Sequence, residues 1–203
     1  MATAKKSRRD RPAPRERLLA SATNLFATEG IRVIGIDRIL READVAKASL
    51  YSLFGSKDNL IIAYLERLDA TYRASYDALI TDNSDPLDKL IALFDTAAQW
   101  QTEHNFRGSY FTIAAGEYPK PETDSEHKIV AQVMIHRAWL RETVEKLLLE
   151  KNGYPGGELA EQIIVLYDGA ITGSQLSHDI TPLEVAKRLV RQLVGEPAAD
   201  YSI

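Results

Sequence analysis

Apolar positions recur at the spacing of an α-helix along nearly the whole chain. The first helix is predicted by an apolar face at i, i+1, i+4, i+7 and i+8, made by Leu18, Leu19, Ala22, Leu25 and Phe26. We expect this helix to end near Gly30, because glycine is the usual residue just beyond a helix C-terminus. No convincing two-residue alternation, the pattern of a half-buried strand, is present. The pattern therefore predicts an all-α protein of about nine helices.

Two short helices and one long helix are predicted next. Ile39 and Ala43 mark the second helix, and Leu50 and Phe54 mark the third. Ser56 has the position of an N-cap for the long fourth helix. Two short helices joined by a tight turn, followed by a third element, can place one helix in the major groove of DNA.

The remainder of the chain is predicted to be helical as well. Asp85-Pro86 is expected to cap a helix, and the glycines and prolines of residues 107–121 allow only a short one. A long helix is expected over 124–151 and another over 158–177. The last helix is expected to begin at Thr181-Pro182-Leu183-Glu184, which has the form of a capping box with Pro at the first helical position.

Charge is distributed unevenly along the chain. Residues 1–60 carry 12 Lys/Arg and 7 Asp/Glu, whereas the remainder carries 13 and 22. Much of the basic excess lies in residues 1–17, which hold 7 basic and 2 acidic residues. The asymmetry indicates an N-terminal part that faces an anionic polymer. The alternative is a tail that only improves solubility, and residues 1–14 are expected to be disordered.

Composition excludes several classes of function. The chain has no cysteine, which excludes disulfides and thiolate metal sites. Neither the apolar run of a signal peptide nor a stretch long enough for a membrane span is present, so a cytoplasmic location is expected. The sequence has no Gly-rich phosphate loop, no G-x-S-x-G motif and no Glu-x-x-His pair, so neither an enzyme nor a cofactor is predicted.

The third helix has a candidate DNA-reading face. At 100° per residue, Ala46, Leu50, Leu53 and Phe54 fall on one side and are expected to be buried. Opposite them lies a small, polar side, formed by Lys47, Ala48, Ser49, Tyr51 and Ser52. A small residue such as Ala48 lets the helix approach base edges and can contact a thymine methyl. The alternative is a helical hairpin with an ordinary solvated face.

Phosphate contacts are expected around this face. Lys47 and Tyr51 can reach phosphates, which orient a protein without specifying sequence. Ser56 and Lys57 lie at a helix N-terminus, where free N–H groups and the helix dipole favour an anion.

Residues 15–65 resemble the DNA-binding domain of the TetR family of bacterial transcriptional regulators. The resemblance rests on Leu25-Phe26 and Gly30, on Ile36 and Ile39, and above all on Val45-Ala-Lys-Ala-Ser-Leu-Tyr-Ser-Leu-Phe-Gly-Ser-Lys57. It implies that Tyr51 and Lys57 contact phosphates and that Lys47, Ala48, Ser49 and Ser52 read bases or adjoin those that do. It also divides the chain into a basic arm (1–14), a helix-turn-helix domain (15–62) and an effector-binding and dimerisation domain (63–197).

The chain departs from the family pattern in four respects. Asp44 stands where the turn often has Gly, and Ala46 stands where the third helix often has a Ser or Thr cap. Ile34-Gly35 replaces a Thr or Ser, and Leu53 replaces a frequent His. Asp tolerates a positive φ better than most residues, and a missing cap costs about 1 kcal/mol. The fold is expected to survive these changes, whereas base specificity cannot be inferred.

The C-terminal part has candidates for an effector site. An aromatic cavity with a few polar groups is typical of a small-molecule site. The candidates are Trp100, Phe106, Tyr110, Phe111, Tyr118, His136 and Trp139. They predict an apolar or aromatic effector, although for any one ring the alternative of simple core packing stays open.

The last two helices are the candidate dimer seam. Their candidate interface residues are Leu159, Ile163, Leu166, Ala170, Gly173, Leu189, Val190 and Leu193. A dimer would engage a pseudo-palindromic operator with two reading helices. Packing of these helices within one chain is the alternative.

The resemblance implies a ligand-responsive regulator, more often a repressor than an activator, that a small effector releases from its operator. The competing hypothesis is a helical adaptor that binds protein rather than DNA. The basic arm and the small-faced third helix argue against the adaptor.

Overall fold

The structure, a computed structural model, describes residues 11–154 and 156–195. Within those residues the chain forms nine α-helices and no strand, which confirms the predicted all-α fold. The helices are α1 Pro14–Glu29, α2 Ile36–Ala43, α3 Lys47–Phe54, α4 Lys57–Leu79, α5 Pro86–Glu103, α6 Tyr110–Glu117, α7 Asp124–Asn152, α8 Gly157–Ser177 and α9 Thr181–Leu193.

The helix boundaries follow local sequence signals. α1 begins with Pro14 at its first position and ends where Gly30 takes φ 104° and ψ 161°, as predicted. Asp85 accepts the N–H of Leu87 at 2.8 Å and so caps α5, also as predicted. The predicted disorder of residues 1–14 falls mostly on residues 1–10, which lie outside the described range, and Pro14 is already helical.

The first compact unit contains the described residues up to Arg67 together with Ala114–Gln132. Its core is built from α1, α2, α3 and the first turns of α4, where Leu18, Ile39 and Leu50 are fully buried. Phe26 and Tyr64 pack edge to face, with ring centroids 5.4 Å apart. The sequence had divided the chain at residue 62, whereas this unit also takes in the end of α6 and the start of α7.

The second compact unit contains Leu68–Ile113 and the described residues from Val133 onward. In it α9 packs against α5 and α8. Its continuous core includes Leu90, Leu93, Phe94, Leu148, Ile164, Leu183 and Val190. In the described part of the chain, no helix combines the length and the apolarity needed to cross a membrane.

The capping box predicted for α9 is wrong. Thr181 is the first helical residue, and the N-cap Ile180 provides no side-chain hydrogen bond. Asp179 instead accepts the N–H and the hydroxyl of Thr181 at 2.8 and 3.0 Å. Glu184 pairs with Lys187 at 2.7 Å rather than reaching back to the cap. An aspartate two residues upstream outcompetes the threonine, because its carboxylate accepts both Thr181 donors at once.

We expect Gly30→Ala to destabilise the protein by about 1–3 kcal/mol, since φ 104° with ψ 161° is a backbone region open almost only to glycine. A Cβ there would also lie 3.2 Å from the Glu117 carboxylate. Urea denaturation of both proteins measures the difference. Gly116→Ala, where a Cβ would meet nothing within 4 Å, is the matched control and should not destabilise. Equal effects of the two substitutions would contradict the strain argument.

Candidate functional site

The turn between α2 and α3 is held by backbone geometry. Asp44 adopts the left-handed conformation, φ 50° and ψ 57°, and its N–H reaches the carbonyls of Arg41 and Leu40. The side chain of Asp44 pairs with Arg11. Ala46 is the N-cap of α3 and, as expected from its methyl side chain, makes no capping hydrogen bond. The turn therefore forms with Asp in place of Gly, and α3 begins uncapped.

α3 is anchored by two side chains, one turn apart. Leu50 is 0% exposed and Phe54 is 8% exposed. The predicted burial of Leu53 and Ala46 is wrong, because Leu53 is 41% exposed and Ala46 is also exposed. Leu53 lies about 100° from Phe54 around the helix, which puts it at the margin of so narrow a buried stripe.

The predicted reading face of α3 is accessible. Lys47, Ala48, Tyr51 and Ser52 are exposed, and Ser49 is partly buried. The ammonium of Lys47 lies 3.5 Å from the Asp37 carboxylate, a loose surface pair that costs little to break. The face thus offers small and polar groups that can approach another surface.

The start of α4 is tied to the chain around it. The Ser56 hydroxyl accepts the N–H of Asn59 at 3.1 Å, which confirms Ser56 as the N-cap. The Lys57 ammonium donates to the carbonyl of Ile31 at 2.8 Å and lies 5.9 Å from the Phe26 ring centroid. Burial lowers the pKa of Lys57, and the nearby charges of Asp58 and Glu117 oppose this shift.

Five of the seven predicted effector-site residues form one cluster in the second unit. Tyr72, which was not among the predicted effector-site residues, lies at its centre. The ring centroids are 5.3 Å apart for Tyr72–Trp100 and Tyr72–His136, 6.2 Å for Tyr72–Trp139, 6.4 Å for Trp100–Tyr110 and 3.7 Å for Phe111–His136. We call these six residues the ring cluster.

The other two predicted residues are not in the ring cluster. Phe106 packs against His178, with ring centroids 5.9 Å apart. Tyr118 belongs to the first unit, where the Arg32 guanidinium lies 4.7 Å from its ring centroid. A shared stretch of sequence therefore does not bring all seven side chains together.

The ring cluster has polar partners that were not predicted from the sequence. Asp69 accepts from His136 Nδ1 at 2.8 Å and pairs with Arg73 at 2.7 Å. The hydroxyls of Tyr72 and Tyr167 share a hydrogen bond. The available signal was the position of Asp69, which follows Leu65 by four residues and so lies on the apolar face of α4.

A cavity of about 430 Å³ opens beside the ring cluster in the second unit. That volume suits a small molecule. Trp139 and Tyr76 provide aromatic wall, and Asp77, Lys89 and Glu150 are among the charged residues that line it. Trp139 therefore belongs both to the ring cluster and to the cavity wall.

The predicted dimer residues divide into three groups by exposure. Ile163, Ala170 and Val190 are at most 5% exposed and pack into the core of their own chain, so their prediction as surface contacts is corrected. Leu189 and Leu193 are 39% and 43% exposed. Leu159, Leu166 and Gly173 are partly buried. Val165, Leu176 and Val185 on the same two helices are also exposed and apolar, although they were not predicted as interface residues.

Comparison with known proteins supports the predicted helix-turn-helix domain. The sequence model of the family described as "Bacterial regulatory proteins, tetR family" matches residues 18–64. The match covers α1 to α3 and the first turns of α4.

Other matches extend the likeness well beyond that segment. The crystal structure of SCO4454, a TetR-family transcriptional regulator from Streptomyces coelicolor, is 32% identical with a TM-score of 0.75, and covers 89% of this chain and 94% of that one. The HTH-type transcriptional repressor NemR of Escherichia coli is 26% identical over 91% of this chain and 95% of its own. The HTH-type transcriptional activator FasR of Mycolicibacterium smegmatis is 30% identical, in a match that covers 72% of this chain and 64% of FasR.

We expect acid to destabilise the protein through His136. Burial lowers the pKa of His136 below 6.5, against the opposing effect of Asp69 and with further lowering by Arg73 and Arg137. Protonation thus favours the unfolded chain, so the stability present above pH about 6.5 is lost as the pH falls through the folded-state value. Thermal midpoints recorded from about pH 7 to 5 should fall less steeply for His136→Gln than for wild type. Parallel profiles would refute the assignment.

Proposed function

The chain belongs to the TetR family of bacterial transcriptional regulators, and we propose that it is a cytoplasmic repressor that binds a pseudo-palindromic operator as a homodimer. The observation that carries the proposal is the division of α3 into a buried anchor, Leu50 and Phe54, and an exposed, small and polar face around Ala48 and Ser52. Such a helix can enter the major groove while its anchor holds it to the rest of the domain.

Each side chain of the exposed face has a proposed role. Ala48 contacts a thymine methyl, and Ser49 and Ser52 bond to base edges or adjoin those bonds. Lys47 and Tyr51 bind phosphates, as do the N-terminus of α4 at Ser56 and the ammonium of Lys57. The accessibility of Lys47, Ala48, Tyr51 and Ser52 supports these assignments.

The proposed dimer forms through α8 and α9. Val165 and Leu176 on α8 and Val185, Leu189 and Leu193 on α9 are exposed. A set of apolar residues left exposed on two adjacent helices marks a protein-interaction surface. Two copies joined through these helices would present two reading helices to one operator.

The proposed effector is an apolar or aromatic small molecule that binds at the ring cluster and the adjoining cavity. Trp139, which belongs to both, supports this location. Release requires that the effector bind the free conformation more tightly than the operator-bound one. An effector with the opposite preference would tighten operator binding, and the same regulator would then respond to it with the opposite sign.

Selection from a random duplex library, followed by gel shift of the enriched sequence, tests the proposal. Recovery of a pseudo-palindromic site whose binding is salt-sensitive supports it. The absence of any sequence-selective shift would favour the protein-binding adaptor instead. A thermal-shift screen of aromatic compounds, repeated with the selected duplex present, then identifies effectors and their sign.

Lys47→Ala should weaken binding to all sequences alike. The loss of one phosphate contact lowers the slope of log K against log salt by about 1 and leaves base preference unchanged. Binding isotherms at several salt concentrations give the slope. Lys146→Ala, which removes an exposed lysine from the second unit, is the control and should leave the slope unchanged. A change in base preference with Lys47→Ala would argue for direct readout instead.

Leu189→Glu should split the dimer, because it places a charge in the proposed α8–α9 seam. Sedimentation should give a mass near twice the 22.7 kDa of one chain for wild type and near one chain for the variant. Operator binding should fall at least about tenfold, since one half-site is lost. Leu149→Glu, an exposed leucine on α7, should remain dimeric. If both variants stayed dimeric, the seam would have to lie elsewhere.

A further inference from the structure

A carboxylate from the end of α6 binds the backbone next to the helix-turn-helix. The N–H groups of Ile31 and Arg32 donate to the two oxygens of Glu117, at 2.9 and 2.6 Å. Gly30, with φ 104°, leaves room for this approach, because a Cβ there would lie 3.2 Å from the same carboxylate. All of these residues belong to the first unit.

The peptide group between Ile31 and Arg32 connects Glu117 to Lys57. Its N–H, on Arg32, donates to Glu117, and its C=O, on Ile31, accepts the Lys57 ammonium at 2.8 Å. A trans peptide is planar, and its N–H and C=O point in opposite directions. Fixing the N–H on Glu117 therefore fixes the direction in which the carbonyl meets Lys57.

The side chain of Arg32 restrains the same peptide. Its guanidinium pairs with Glu126 at 2.9 Å and lies 4.7 Å from the ring centroid of Tyr118. Glu126 in turn accepts the N–H of Glu122 at 2.8 Å. The Ile31–Arg32 peptide is thus held through both its backbone and its neighbouring side chain.

We propose that Glu117 is a positioning residue for DNA binding, which acts through the Ile31–Arg32 peptide to hold the Lys57 ammonium where it binds a phosphate. The inference rests on the proposed function. An ammonium has three protons, and the Ile31 carbonyl takes one, so two remain for phosphate oxygens. The charge of Glu117 also opposes the lowering of the Lys57 pKa by burial and so favours the cation that a phosphate requires.

The sign of the effect separates this role from simple electrostatics. Removing a negative charge from a DNA-binding domain by itself raises affinity for DNA. Positioning predicts the opposite for Glu117→Ala: the dissociation constant rises about tenfold, and the salt slope falls by about 1, the share of one phosphate contact. Glu117→Gln keeps one acceptor oxygen for the two N–H groups and should give an intermediate loss.

The experiment measures binding of the selected operator duplex at several salt concentrations. Wild type is compared with Glu117→Ala, Glu117→Gln, Lys57→Met and the double variant Glu117→Ala/Lys57→Met. Glu122→Ala, which removes an exposed carboxylate from the same unit, is the charge control. Thermal melts establish that each variant is folded at the assay temperature, and if Glu117→Ala is not, Glu117→Gln carries the comparison.

The proposal predicts that Glu117→Ala and Lys57→Met lower the slope equally and that the double variant lowers it no further. It is overturned if Glu117→Ala behaves like Glu122→Ala, if the two losses add, or if affinity falls with the slope unchanged. If wild type binds the operator and the Glu117 variants bind it equally well, the positioning role is overturned but the proposed function is not. Wild type that binds no duplex selectively overturns both.

Discussion

Burial of Leu50 and Phe54 is the interaction on which the proposed DNA-binding surface depends. An eight-residue helix is unstable alone in water, because nucleation costs more than so few hydrogen bonds return. α3 also lacks a side-chain cap at Ala46. Its stability must therefore come from packing into the core of the first unit, and that requirement fixes which face remains free. The exposure of Ala48 and Ser52 is a consequence of the anchor.

Packing also explains why the turn before α3 tolerates an unfavourable residue. Asp44 takes a left-handed conformation that glycine would adopt with less strain. Its carboxylate pairs with Arg11, a contact that glycine cannot make. The chain thus combines a less favourable backbone with an added surface ion pair, worth little by itself. Tertiary packing, rather than the turn residue, holds α2 and α3 together.

Periodicity and capping signals predicted the helices, since both are local properties of the sequence. The features that could not be predicted from the sequence depend on contacts between residues far apart along the chain. Glu117 meets Ile31 across 86 residues, and no spacing rule connects them. Leu53 is exposed because the buried stripe of α3 is narrower than a helical wheel implies. Tyr118 is not part of the ring cluster because the boundary between the two units falls within α6. That boundary is defined by contacts in the folded chain.

α6 contributes side chains to both units: Phe111 to the ring cluster of the second unit, and Glu117 to the Ile31–Arg32 peptide of the first. Phe111, stacked on His136 at 3.7 Å, and Glu117 both belong to α6. On the proposed function, an effector that inserts at the ring cluster must separate rings already in contact, so it binds best to a conformation of the second unit in which Phe111 has moved.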